Sequence, residues 1–325
     1  MDRRSLLTAG AMAAAGILRP DTSHGQVPAD YPNKPITLIV PWAPGSAIDL
    51  LNRALAEAAG KHLGKPIVVE NKVGASGTAG PATMAATAKP DGYTISHLPM
   101  GIFLLPLQQK VSWDPLKDFT YIIHLSSFVA GLVARPDAPF RTLPELIEFA
   151  RKNPGALTYA TPGAGLQIHI IMQLIAKQEG IEWTHVPFST GIEAAVVGGH
   201  VMVAASALPV MKPFLEVGQL RALAVCTSAR RPWLQDVPTL QELGYNFFVD
   251  SSFGIAGPRG MDPAIVRKLH DAFNLARSDD KVRDFMKRVD YPDQYMDTET
   301  YARFANTLLE EQGRYLKLIG FAKKE

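Results

Sequence analysis

Residues 35–63, PITLIVPWAPGSAIDLLNRALAEAAGKHL, decide the fold. Pro35-Ile36-Thr37-Leu38-Ile39-Val40 reads as a buried strand, a short aliphatic and β-branched run bounded by prolines. Residues 41–48 read as a loop, and 49–63 as a helix. The same order then recurs. Ile67-Val68-Val69 is the next strand, residues 74–80 form a glycine-rich loop into a helix over 81–88, and Tyr93-Thr94-Ile95-Ser96 is a strand again. Such β-loop-α alternation predicts mainly parallel sheets covered by helices. Ligands of such sheets sit beyond the carboxyl ends of the strands, where loops enter helices.

Further along, residues 129–134 read as a strand, and Thr142 caps a helix with Pro144 in its first turn. Leu157-Thr158-Tyr159-Ala160 is a strand, residues 161–165 a loop, and 166–179 a helix. Short strands follow at 183–186, 201–205, 221–227 and 253–256, and from Asp262 onward the chain reads as helical. Composition breaks near Arg135-Pro136-Asp137-Ala138-Pro139 and Asp250-Ser251-Ser252 suggest two crossings between lobes. The expected division is a first lobe of 26–134 plus 251–325 and a second of 135–250. Two crossings make a hinge able to close around a small molecule.

The N-terminus carries a different signal. Asp2-Arg3-Arg4-Ser5-Leu6-Leu7 opens an uncharged Ala/Leu/Gly-rich run reaching Leu18. A basic start followed by roughly 7–15 apolar residues describes a secretory signal peptide, by the general or the twin-arginine route. Ser23-His24-Gly25 offers a cleavage site, so residues 1–25 are expected to be removed and the mature chain to begin near Gln26. With no later spanning run, a soluble, monomeric periplasmic protein is expected. The remaining length predicts two domains. Charge is nearly balanced, 33 Lys+Arg against 31 Asp+Glu, with no basic stripe, so nucleic acid is excluded as a partner. One cysteine, Cys226 in an apolar run, rules out an internal disulfide and reads as buried and inert.

Catalytic and metal signatures are missing from the sequence. The eight histidines form no metal-binding helix motif and lie near no cysteine pair. There is no phosphate loop, and Gly74-Ala75-Ser76-Gly77-Thr78 fails the nucleophile-elbow pattern at its last position. What stands out are small-residue loops at strand-to-helix junctions: Pro44-Gly45-Ser46-Ala47, residues 74–77, and Thr161-Pro162-Gly163-Ala164-Gly165. Glycine lets backbone N–H groups approach a ligand, and helix N-termini favour anions such as carboxylates. Leu98, Met100 and Phe103 read as core residues that also offer apolar lining.

A series of short motifs runs through the whole chain: Tyr31-Pro32-Asn33-Lys34-Pro35, Val40-Pro41-Trp42-Ala43-Pro44-Gly45, Val69-Glu70-Asn71-Lys72, Pro90-Asp91-Gly92-Tyr93, His185-Val186-Pro187-Phe188, and Asp236-Val237-Pro238-Thr239. Taken in order, they resemble the Bug family of periplasmic receptors that serve tripartite tricarboxylate transporters. The resemblance implies a type II periplasmic-binding-protein fold, two α/β lobes around a hinged ligand cleft, with no cofactor. It implies a receptor that captures a small carboxylate, aliphatic or aromatic, and delivers it to a membrane permease without catalysis. A sensor feeding a signalling partner and a hydrolase on the same scaffold are the alternatives. It makes Gly45, Ser46, Ala47, Asp49, Ser76, Gly77, Thr161, Gly163, Gly165, Gln167, His169 and Ser206 the candidate ligand-binding residues. The chain departs from the family pattern at Ser46 and Ile48, at Leu166 and Gln167 where small hydroxyl residues are usual, after Phe188, and at Ser206 where an Asp is frequent. Those departures weaken the case for a ligand with an anion at both ends.

Overall fold

The strand–loop–helix reading of residues 35–63 holds, with the helix beginning two residues earlier than expected. The structure, a computed structural model, describes residues 30–323 except 189, 190, 228, 250 and 251; the expected signal peptide lies outside the described residues. β1 (Ile36–Val40) leads to α1 (Ala47–Leu63), β2 (Ile67–Asn71), a 3-10 turn (Ala75–Gly77) and α2 (Ala79–Thr87). β3 (Thr94–Leu98), α3 (Gly101–Gln108) and β4 (Phe119–Ser126) follow. The Ser46 hydroxyl accepts the Asp49 N–H at 3.3 Å to start α1, and Gly64, at φ 71°, ends it in the left-handed conformation.

The chain then builds β5 (Ala130–Ala134), α4 (Leu143–Lys152), β6 (Thr158–Thr161), α5 (Gln167–Glu179) and β7 (Thr184–Pro187). Next are α6 (Ile192–Val197), β8 (Val203–Ala207), α7 (Leu208–Glu216) and β9 (Arg221–Val225). It returns through β10 (Phe253–Pro258), α8 (Pro263–Ala276), α9 (Asp280–Arg288), β11 (Asp293–Met296) and α10 (Thr298–Leu318). Thr142 caps α4 as expected. The Glu145 carboxylate accepts the Arg141 N–H at 2.6 Å, one residue ahead of the cap, and so ties down the chain entering α4.

Two sheets result, in the orders β11-β4-β10-β3-β1-β2 and β7-β6-β8-β5-β9. They are mixed rather than mainly parallel. β1 runs parallel to β2 and β3, and β6 parallel to β7 and β8, as the β-loop-α units require. β10 is antiparallel to β3 and β4, and β5 is antiparallel to β8 and β9, because these strands enter from the opposite lobe without a crossover helix. Leu51 and Leu55 of α1 pack with Leu269 and Phe273 of α8 over the first sheet. Tyr159, Ile171 and Ile175 centre the second core.

The expected boundary at 134/135 is displaced. β5 belongs to the second sheet, so the chain crosses between Ser126 and Ala130. The break at Arg135–Pro139 is only the surface turn after β5, closed by Ala138 N–H on the Arg135 carbonyl at 3.2 Å. At the second crossing, 250 and 251 lie outside the described residues; Val249 packs in the second core and Phe253 opens β10. The C-terminal end also departs from the expected first lobe. Leu316 is buried in the second core, and the Lys323 N–H reaches the Leu107 carbonyl at 2.9 Å.

Candidate functional site

A cavity of about 300 Å³ lies between the two sheets, where helices begin. Trp42, Ile48, Ser76, Met100 and Leu104 line it from the first sheet's side. Pro162, Leu166, Gln167, Ile168, Ser206 and Ala207 face them from the second. Phe128 and Val249, one at each crossing, close the back. Among the described residues, no Lys, Arg, His, Asp or Glu lines it.

The first loop is organised around Asp49. Its carboxylate is almost wholly buried and accepts the Gly45 N–H at 2.8 Å, Arg53 Nε at 3.0 Å and Asn71 Nδ2 at 2.7 Å. Burial pushes its pKa up, but the bonds from Arg53, Asn71 and Gly45 outweigh that and hold it below the usual carboxylate range. Gly45 and Asp49, expected on the ligand, are therefore joined to each other. The Ser46 N–H goes to the Ala43 carbonyl at 3.2 Å, and its hydroxyl caps α1. Ala47 is the first residue of α1, beside the lining residue Ile48. In the second loop Ser76 reaches the cavity from a left-handed backbone, φ 54°, while the Gly77 N–H closes on the Gly74 carbonyl at 2.9 Å.

In the second lobe the expected donors are also partly taken up internally. The buried Thr161 hydroxyl lies 2.7 Å from His185 Nε2 and 3.1 Å from the Gly163 carbonyl, and it accepts the Gly163 N–H at 3.3 Å. The Gly165 N–H donates to His169 Nδ1 at 3.1 Å, and Gln108 of α3 donates to the Gly165 carbonyl at 2.8 Å. Thr161, Gly163, Gly165 and His169 thus shape the loop from behind. Gln167 and Ser206 do line the cavity. Ser206 is 8% exposed, and its hydroxyl has no hydrogen-bond partner among the described residues.

Burial lowers the pKa of His169 to about 4, with His185 beside it adding to the effect. Fully buried His97, near His124, falls to about 3. Between pH 6.5 and 4 the unfolded chain protonates both while the folded one does not, so their contribution is complete above 6.5 and is lost as pH falls. Urea unfolding is expected to show stability dropping by about 3 kcal/mol per pH unit in that window. His97→Phe should flatten the slope by about half; an unchanged slope would refute the assignment.

The family model described as "Tripartite tricarboxylate transporter family receptor" matches residues 51–321. The chain belongs to that family. It is 38% identical, over the full length of both chains, to the Cupriavidus necator "UPF0065 protein in gbd 5'region". The solved periplasmic binding protein BugD superposes with a TM-score of 0.75 at 28% identity, over 90% of this chain and 100% of BugD. "R. palustris Rpa4515 with adipate" gives 0.79 at 28% identity, over 90% of this chain and 99% of that one. For this tricarboxylate-transporter receptor, sequence reasoning missed Trp42, Leu104, Phe128 and Val249 as lining and Gln108 as a brace. Trp42 stands beside the glycine loop and was open to detection. Phe128 and Val249 are far apart in sequence and meet only because both sit at crossings. Of the apolar candidates, Met100 lines the cavity, whereas Leu98 and Phe103 are core residues at 0% exposure.

Proposed function

We propose that the chain is an extracytoplasmic solute receptor that captures a small carboxylate-bearing organic ligand in the interlobe cavity. It passes the ligand to a membrane permease and performs no chemistry on it. The carrying observation is the cavity itself, shared by both lobes and lined, among the described residues, without a nucleophilic thiol, a titratable acid–base pair or any charged side chain. Among the described residues no cluster could hold a metal ion, and no helix is long and apolar enough to cross a membrane. Family membership and the adipate bound by the R. palustris relative support the reading. The periplasm, a tripartite-type permease partner and a monomeric state belong to the same proposal. A thermal-shift screen of aliphatic and aromatic mono- and dicarboxylates tests it. An acid present at ~100 times its Kd should add about 2.7 kcal/mol and raise Tm by about 5 °C. If no acid raises Tm, the reading fails.

A further inference from the structure

A buried ion pair joins the two lobes beside their crossings. Arg231 follows β9, in a segment held to the second lobe by Trp233, Leu234 and Val237. Asp290 follows α9, where Val289 and Tyr291 pack against the first core. The guanidinium donates to the Asp290 carboxylate twice, from Nε at 3.1 Å and from Nη2 at 2.6 Å. The two side chains are only 13% and 8% exposed, so this two-pronged bond is shielded from water and from salt.

The backbone under this carboxylate is unusual. α9 ends in a Schellman motif, with the Tyr291 N–H on the Met286 carbonyl at 2.9 Å and the Asp290 N–H on the Lys287 carbonyl at 3.3 Å. Asp290 itself takes the left-handed conformation, at φ 52°. Glycine is the usual residue there, because a β-carbon makes that conformation costly. α1 and α5 end on Gly64 and Gly180 in the same conformation. As a cap, the aspartate offers nothing that glycine would not supply at lower strain. What it adds is a carboxylate for the opposite lobe. Its neighbour Tyr291 stands edge-on to Phe128, with ring centroids 5.7 Å apart, and 6.1 Å from Phe253. Phe128 closes the back of the cavity and Phe253 opens β10 after the second crossing, so the pair lies behind the cavity, on the hinge side.

We propose that Arg231 and Asp290 are a positioning pair that pins the hinge and narrows the range of interlobe angles open to the empty protein. A rotation that drew the two groups apart would leave both charges buried and unpaired, which is strongly opposed. Lobe motion must therefore pivot close to the pair, and the two covalent crossings do not set the angle alone. For a receptor this matters because apparent affinity falls with the fraction of molecules in the binding geometry. A pinned hinge keeps that fraction high without touching the ligand. The inference goes beyond the receptor reading, and its test needs no ligand.

Double electron–electron resonance between nitroxides at Leu50→Cys and Val210→Cys tests it. Both positions are exposed, at 44% and 51%, on α1 and α7, which start at opposite walls of the cavity. Cys226, wholly buried, is left in place. Without ligand, the chain with Arg231 and Asp290 intact should give one narrow distance distribution. Asp290→Gly, which puts the favoured residue in the cap, should broaden the distribution and move its mean by more than about 2 Å. Arg231→Leu combined with Asp290→Gly leaves neither charge behind and should do the same. Arg231→Lys keeps the charge but loses the two-pronged geometry, and should fall between. Circular dichroism and Tm report folding; should one of the three not fold, the others decide. An aspartate serving only the cap would let Asp290→Gly keep or raise Tm with the distribution unmoved. That result, or an unmoved distribution in the double variant, would overturn the pinned hinge. Failure of every acid in the thermal-shift screen would sink the receptor reading and leave this measurement untouched.

Discussion

Replacing Gly165 by valine should abolish binding of any acid that stabilises the unaltered protein, and should lower its stability by about 2–4 kcal/mol. Gly165 sits at φ 74°, where a β-branched residue is strongly disfavoured. A Cβ there would stand 2.3 Å from Gln108 Oε1, so the brace from α3 to the Gly165 carbonyl must break. The loop that carries Pro162 and Leu166 into the cavity would then shift. The expected reason for the glycine was close approach of a ligand; the structure places Gln108 at that position instead. Gly163 provides the control. It has no positive φ, and an added Cβ would meet Leu166 at 3.4 Å, an ordinary contact, so Gly163→Ala should be nearly neutral. Gln108→Ala combined with Gly165→Ala removes the collision but not the backbone strain, and should recover part of the lost stability. Calorimetry and urea unfolding of these variants decide the matter; wild-type binding by Gly165→Val would refute the brace.

Asp49→Ala should cost about 2–4 kcal/mol at pH 7. It leaves the Gly45 N–H without its acceptor and the Asn71 amide with only the Trp42 carbonyl at 2.9 Å; Arg53, at 45% side-chain exposure, can be rehydrated and adds less. The depressed carboxyl pKa fixes the pH dependence. Its stabilisation is complete above the unfolded value of about 3.9 and is lost as pH falls through the folded one. Unfolding midpoints of the variant and the parent should therefore differ widely at pH 7 and draw together as pH falls below the ordinary carboxylate range. A gap that persists in acid would mean that the carboxylate's charge is not what organises the loop.

How far the sequence was legible depends on how local each determinant is. α1 and α4 were readable because Ser46 and Thr142 cap them within one turn. β4, FTYIIHLS, carries β-branched and aromatic residues and was open to the same reading, yet it was not recognised as a strand. The antiparallel sense of β5 and β10 was not readable, since it follows from where the chain enters a sheet assembled from distant segments. The small-residue loops do border the interlobe cavity, through Ser76 in one and Pro162 in another. Their donors were misread, because a loop's N–H groups are open or closed according to acceptors such as Asp49 for Gly45 and His169 for Gly165. Both acceptors lie four residues downstream of the glycine they hold, a spacing visible in the sequence.

Among the described residues no charged side chain lines the cavity, which has a consequence for the environment in which such a protein would work. An anion held by arginine or lysine is attracted from a distance, through a field that salt shortens to about 10 Å at 0.1 M. Among the described residues the acid would meet hydroxyls, the Gln167 amide, helix starts and hydrocarbon, all acting at contact range after water has left. Capture then proceeds without steering, at association rates of about 10⁵–10⁷ M⁻¹s⁻¹ rather than the faster electrostatically guided ones. In exchange, affinity becomes nearly indifferent to ionic strength. A receptor facing surroundings that swing between fresh and brackish water would keep the same threshold for its ligand in both.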